Sequence, residues 1–225
     1  MTKWILKAEE IYKSYYTPAK VPILAGVNLS VKPGETIAIM GRSGQGKSTL
    51  LHLLGTLEKP CSGQLEIVGQ KISLFNKSKM RNQHIGFVFQ SFHLLEDYTS
   101  LENVLWPAKI ARENTSKDSL YYDRAMNLLE EVGLKDRAHF HTKLLSGGEK
   151  QRIAIARALC NDPDILFADE PSGNLDQQTS ALIHDLLLGF VKKGNKTLII
   201  VTHNQTLASL CDKRYTLHKG HLDLS

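Results

Sequence analysis

Gly41-Arg42-Ser43-Gly44-Gln45-Gly46-Lys47-Ser48 is the stretch on which the fold turns. It follows the β-rich run Thr36-Ile37-Ala38-Ile39-Met40 and precedes residues 49–54, whose leucines suit a buried helix. A strand, a glycine-rich turn and a helix that opens on Lys-Ser make up the G-x-x-x-x-G-K-[ST] pattern of a phosphate-gripping loop. The glycines let the backbone curl with its N–H groups inward, and the positive end of the helix dipole strengthens the pull on an anion. The expected nucleotide contacts are Gly41, Arg42, Ser43, Gly44, Gln45, Gly46, Lys47, Ser48 and Thr49. Of these, Lys47 is suited to the β- and γ-phosphates and Ser48 to Mg²⁺.

Three further runs of the same kind lie downstream: residues 85–89, residues 165–168 and Thr197–Val201. Near-continuous apolar runs separated by helical stretches predict buried strands of a parallel sheet. Each run gives way to a polar group: the loop at Gly41, then Gln90, then Asp169-Glu170, then Thr202-His203. Ligands of open α/β sheets bind beyond the carboxyl ends of the strands, so these distant pieces predict one site. Two carboxylates at the end of an apolar strand are costly unless a cation compensates them. The expected roles are Asp169 on the metal's water shell and Glu170 as the base that orients and deprotonates a water. An exposed acidic turn before Pro171 is the plainer alternative.

The fold class predicted is α/β, with an antiparallel β layer ahead of the parallel sheet and an inserted helical subdomain. The layer comes from residues 5–11 and 23–31, and a terminal hairpin from residues 214–217 and His221–Leu224. Residues 119–132 have helical periodicity and stop at Gly133. The domain division expected is one domain over residues 1–225: an α/β core of roughly 1–90 and 160–225, and a helical subdomain over 91–159.

Composition narrows the function classes. The 225 residues carry a formal charge of +5 at neutral pH, and 42% are hydrophobic, as in ordinary globular chains. The basic residues are scattered without interleaved aromatics, which argues against a nucleic-acid partner. Cys61, Cys160 and Cys211 are odd in number and far apart, so neither a disulfide framework nor a zinc site is expected. The first ten residues lack a signal peptide's apolar core, and no run approaches the ~20 apolar residues of a membrane-spanning helix.

Leu145-Ser146-Gly147-Gly148-Glu149 reads first as a capping box, S-x-x-E, opening an amphipathic helix over residues 150–160. Capping is compatible with anion binding, because two glycines at a helix start leave N–H groups accessible. His203 alone is an ambiguous signal among nine histidines.

Taken in order, residues 41–48, Gln90, residues 145–149, residues 165–170, Ser172-Gly173-Asn174-Leu175-Asp176 and His203 resemble the Walker A, Q-loop, signature, Walker B, D-loop and H-loop of ABC ATPases. The resemblance spans nearly the whole chain. It implies ATP and Mg²⁺ as ligands, with Ser48, Gln90 and Asp169 around the metal, and Glu170, His203, Gln90 and Lys47 as catalytic groups. Tyr15, or its neighbour Tyr16, would stack on adenine. A second copy would pair head to tail, offering Ser146, Gly147, Gly148, Glu149 and Asp176 in trans. Gln45 stands where relatives carry a small residue, and nucleotide binding is expected to survive because that position works mainly through its backbone.

Closer similarity is to lipoprotein-releasing (Lol-type) ATPase subunits, with macrolide-efflux and cell-division cassettes as relatives. It is carried by Leu50-Leu51-His52-Leu53-Leu54-Gly55, residues 81–90, His93-Leu94-Leu95, Leu101-Glu102-Asn103-Val104 and residues 170–176. Ser172 replaces the threonine usual in that group. The resemblance implies integral membrane permease subunits as partners, a place on the cytoplasmic face of a bacterial inner membrane, and no direct contact with cargo. Phe92, Leu94, Leu95 and Trp106 are candidate permease contacts or, equally, core residues. A soluble ABC ATPase acting on DNA or ribosomes fits less well, since no heptad run separates Lys47 from Ser146.

Overall fold

The computed structural model describes residues 4–16 and 18–225. Along the chain run β1 (Leu6–Tyr16), β2 (Lys20–Val31), β3 (Thr36–Met40), α1 (Lys47–Leu54), β4 (Ser62–Ile67), β5 (Gln70–Lys71), α2 (Lys77–His84), β6 (Ile85–Val88), α3 (Ser100–Ile110), α4 (Leu120–Glu131), α5 (Gly147–Leu159), β7 (Ile165–Asp169), α6 (Gln177–Gly194), β8 (Thr197–Val201), α7 (Gln205–Ser209), β9 (Lys213–His218) and β10 (His221–Leu224). They form two compact units, Met1–Arg81 with Asn195–Ser225, and Asn82–Gly194.

In the first unit β3 lies between two parallel neighbours, β8 and β9, with Ile39 opposite both Val201 and Tyr215. Burial explains the composition: Ile37, Ala38, Ile39 and all of β8 are buried, so neither strand alternates with polar residues. Side chains fix where β3 begins, because Asp212 accepts from both the backbone N–H and the hydroxyl of Thr36, each at 2.8 Å. The antiparallel layer runs β2-β1-β4-β5. β1 and β2 reach further than their apolar runs, to Tyr16 and from Lys20, because the hairpin register continues past the last buried side chain. β4 carries only Leu65 and Ile67 as buried residues and is otherwise polar, which hides it from a search for apolar runs.

In the second unit β6 and β7 pair in parallel, with Val88 opposite Ala168, so Phe89-Gln90 and Asp169-Glu170 leave from the same end. Helices α3, α4 and α5 share an apolar core that includes Leu101, Leu105, Leu129, Leu145 and Ile153. Thr99 caps α3 through a capping box with Glu102, and Ser119 caps α4 by accepting from Tyr122 N–H at 3.3 Å. Among the described residues no helix is long and apolar enough to cross a membrane.

Candidate functional site

The phosphate loop leaves β3 at Met40 and enters α1 at Lys47. Gly41 and Gly46 are there for space as well as conformation. A Cβ on Gly41 would lie 2.6 Å from the carbonyl oxygen of Leu217, and one on Gly46 would lie 2.4 Å from Cγ2 of Ile23. Gly46, at φ 90°, is the N-cap of α1, makes no side-chain capping bond, and the first turn contains no acidic residue. Gly46 therefore gives the start of α1 no capping side chain, and the first turn adds no carboxylate to repel an anion. Lys47 Nζ donates to the carbonyls of Gly41, at 2.9 Å, and Arg42, at 3.2 Å, which holds the ammonium against the loop. Arg42, Ser43, Gly44 and Ser48 are exposed, while Gln45 and Thr49 are partly buried.

β8 delivers Thr202 and His203 beside this loop's origin, because Thr202 N–H donates to Ile39 O at 3.2 Å. Thr202 is buried and its hydroxyl accepts from Asn204 N–H, while His203 is exposed. Tyr15, on β1, is 39% exposed. Its hydroxyl donates to Glu58, Lys13 Nζ lies 5.0 Å from the ring centroid, and Lys13 also pairs with Glu58 at 2.9 Å. Burial works against the Glu58 carboxylate, yet the bonds from Lys13 and Tyr15 outweigh it and hold its pKa below the ordinary value. Tyr15 is thus a braced aromatic face, and Tyr16 is more exposed at 70%.

The second unit gathers the acidic edge. Asp169 is buried at the end of β7, and Glu170 follows at φ 43°, a conformation that non-glycine residues rarely adopt. Gly173 N–H donates to Glu170 O at 3.0 Å, and Gln90 Nε2 donates to Asn174 Oδ1 at 3.1 Å. Gln90, Glu170, Gly173 and Asn174 are therefore neighbours, as a single site containing Gln90 and Glu170 requires.

Ser146 caps α5 through a full capping box. Its hydroxyl accepts from Glu149 N–H at 3.3 Å and donates to Glu149 Oε2 at 2.8 Å, while Ser146 N–H donates to the same oxygen at 2.9 Å. Those bonds, the backbone one first, hold the Glu149 carboxyl below its ordinary pKa. A Cβ on Gly148 would lie 2.6 Å from Thr179 Cγ2. Thr179 in turn gives both its N–H and its hydroxyl to Asp176, which immediately precedes α6 and whose pKa is lowered by those bonds. Gly147 stays exposed. The signature and the D-loop of one chain are thereby packed together through Thr179.

Several residues that position this edge carry no motif. Gln151, fully buried on α5, donates to Phe89 O at 3.3 Å and to Pro171 O at 2.6 Å, tying α5 to the ends of both strands. Arg157 donates to Phe92 O at 2.8 Å and to His93 O, and burial lowers its pKa to about 10. Ser172 Oγ and His184 Nε2 share a hydrogen bond of 2.8 Å. Apart from Ser172, which belongs to the D-loop match, their only sequence signal is polarity on helices that are otherwise apolar. Of the candidate permease contacts, Leu94 packs on the helical core and Leu95 is exposed, its backbone pinned by Asn103. Phe92 is partly buried, and Trp106 meets Tyr98 edge-on at 5.4 Å.

The cradle suits a triphosphate: it is uncapped, glycine-lined and backed by a lysine. Hydroxyl, amide and carboxylate oxygens on Ser48, Gln90 and Asp169 are the hard donors that Mg²⁺ prefers. Comparison with known proteins identifies the family. The family described as ABC transporter matches residues 24–173. The lipoprotein-releasing system ATP-binding protein LolD of Protochlamydia amoebophila is 62% identical over 218 residues, covering 97% of this chain and 96% of its own. The LolD protein of Cytophaga hutchinsonii is 47% identical, covering 96% and 97%. Among solved structures, the dimeric bacterial ABC transporter cassette MJ0796 superposes with a TM-score of 0.88 at 36% identity, covering 96% of each chain. The same cassette in a dimeric post-hydrolysis state bound to ADP and Pi gives 0.86, again at 36% identity and 96% of each chain. This chain belongs to the ABC transporter family, as an ATP-binding protein similar to those of lipoprotein-releasing systems.

Proposed function

We propose that this chain is the ATP-hydrolysing subunit of a lipoprotein-releasing ABC transporter, acting at the cytoplasmic face of a bacterial inner membrane on permease subunits that cross it. The observation that carries the ATPase reading is the start of α1, with no capping side chain, after two glycines, Gly41 and Gly46, that leave no room for a Cβ. The cargo class rests on the relatives.

In this reading the N–H groups of residues 41–49 surround the phosphates, and Lys47 turns from the Gly41 and Arg42 carbonyls toward the β- and γ-phosphates. Tyr15, or its neighbour Tyr16, supplies the face for adenine. Ser48, Gln90 and Asp169 would hold Mg²⁺, which supplies positive charge to the phosphate oxygens. Glu170 orients the attacking water and accepts its proton, and His203 contacts the γ-phosphate. A second copy would contribute Ser146, Gly147, Gly148, Glu149 and Asp176, so that ATP joins two chains and its hydrolysis releases them. Residues 91–159 serve as the helical subdomain that carries the signature. Of the side chains near the Q-loop, the exposed Leu95 is the best permease contact, whereas Leu94 belongs to the core.

Glu170→Gln tests both halves of the proposal. Turnover should fall by about 10²- to 10⁴-fold, the contribution of a positioned acid–base group, while ATP binding persists. Retained turnover would remove Glu170 as the base. Isolated with ATP from gently solubilised membranes, the variant should bring down a permease that has a large periplasmic part and retains lipoproteins. An efflux or division partner in its place would move the chain to a sister branch, and no membrane partner would overturn the transporter reading.

A further inference from the structure

The turn that joins β5 to α2 displays two large apolar side chains to solvent: Phe75 is 100% exposed and Leu74 62%. This is an ordered turn rather than a frayed one. Ser73 gives both its N–H and its hydroxyl to Asn76 Oδ1, at 2.8 and 3.1 Å. Asn76 Nδ2 donates to Lys71 O at 2.9 Å, and Lys77 N–H to Ser73 O at 3.1 Å. Below it Met80 is buried and Ile72 partly buried, which anchors the turn from within. Leu74 and Phe75 are therefore held outward by a braced backbone, where folding alone would favour polar residues.

Cations flank them along the chain. Lys71 and Lys79 are exposed and Lys77 partly so, and none of the three makes an ion pair among the described residues. Lys59 adds a fourth ammonium at a neighbouring cavity of about 460 Å³, which Lys71 and Lys77 also line and whose apolar lining includes Leu53, Leu65 and Ile72. Unpaired lysines beside a fully exposed aromatic tip combine two attractions: Coulombic pull toward anionic headgroups, and burial of apolar side chains at the acyl boundary. A protein groove would be expected to bury the anchor in a pocket with paired charges at its rim.

We propose that this turn is a direct membrane contact, with Leu74 and Phe75 entering the headgroup layer of an anionic phospholipid surface and Lys71, Lys77 and Lys79 neutralising its phosphates. The inference rests on this surface and not on the transporter reading. The chain would touch lipid itself as well as being held by membrane partners.

Flotation of the purified chain with vesicles tests it, using phosphatidylcholine alone and phosphatidylcholine mixed with phosphatidylglycerol. Binding is expected only to the mixed vesicles and should weaken as salt screens the lysines. Each lysine near an anionic surface accounts for about 5-fold in affinity, so Lys77→Gln with Lys79→Gln should lower binding by roughly 25-fold. ATP turnover of that variant should match wild type. Phe75→Trp should add an emission component that shifts to the blue on mixed vesicles and stays unmoved on neutral ones. Absence of vesicle binding, binding indifferent to the lysines, or an added emission component that does not shift when the Phe75→Trp protein is bound to vesicles would each overturn the proposal. So would a photo-crosslinker at position 75 that, in the isolated membrane complex, labels protein and not lipid. The vesicle readouts use no permease and no Glu170 variant, so they fail or succeed separately from the assigned function.

Discussion

The phosphate loop and the signature helix both end in a helix N-terminus, yet the two are finished in opposite ways. α1 starts from Gly46 with no capping side chain and no acid in its first turn. α5 starts from Ser146 with a complete capping box and Glu149 drawn into it. The first is set by backbone shape and has no capping side chain of its own. The second is satisfied before any ligand arrives, as is much of the acidic edge around it: Gln90 donates to Asn174, Gln151 to Phe89 and Pro171, and Thr179 to Asp176. One region is built to bind, and the other is cross-tied to hold a geometry that binding must engage.

The difference is broken most strongly at Lys47. In the loop its ammonium donates to two backbone carbonyls, so Lys47→Met should leave folding nearly intact. Nucleotide affinity should fall by roughly 10- to 150-fold, since a hydrogen bond to a charged group contributes about 1.5–3 kcal/mol. Titration with a fluorescent nucleotide measures it, and an unchanged affinity would remove Lys47 from the phosphate site.

Gly46→Ala tests the shape of the loop rather than its charge. The new methyl would meet Ile23 Cγ2 at 2.4 Å and sit at φ 90°, and a left-handed non-glycine residue costs about 1–3 kcal/mol. The urea midpoint should fall accordingly, with nucleotide affinity falling alongside because the α1 N–H groups are displaced. Equal stability of the two proteins would show that Ile23 yields freely and that the glycine is not required there.

These two positions explain why half of the site is legible in the sequence. Where function needs backbone without side chains, as at Gly41 and Gly46, the residue type itself carries the message, and the strand before the loop ends where expected at Met40. Asp169-Glu170 is readable for a similar reason, since carboxylates stand out at the end of a buried strand. The cross-ties are silent because each joins residues far apart in sequence. Gln151 is one glutamine among several until burial shows it donating to Pro171, and Arg157 is an ordinary helix arginine until its partners prove to be the carbonyls after the Q-loop. The β4–β5 hairpin is missed on different grounds. A strand with two buried residues has no apolar run, and its register is set by β1.

The self-capped start of α5 gives a smaller effect with a different signature. Ser146→Ala removes the acceptor of Glu149 N–H and the donor to its carboxylate, which should lower stability by about 1 kcal/mol. ATP affinity of the isolated chain should not change, whereas hydrolysis, which the proposed trans arrangement makes dependent on Ser146, should fall. A parallel loss of affinity would place the signature serine at the same chain's nucleotide and collapse the contrast between the two helix starts.

The finest test lies at Ser172, whose hydroxyl meets His184 on α6. His184 is 6% exposed; burial lowers its pKa, and the neighbouring Asp185 only partly restores it. The unfolded chain therefore takes up this proton at a higher pH than the folded one. The stability that the neutral imidazole contributes is complete above the ordinary histidine value of about 6.5 and is lost as pH falls through the lower folded value. His184→Gln keeps a hydrogen-bonding group at this position without a proton to titrate in that range. Wild type should therefore lose melting temperature between about pH 7 and pH 5 more steeply than the variant, by a margin smaller than the capping effect at Ser146. Parallel profiles would mean that the Ser172–His184 tie is not a titrating element, and that the acidic edge is held by cross-ties indifferent to protons.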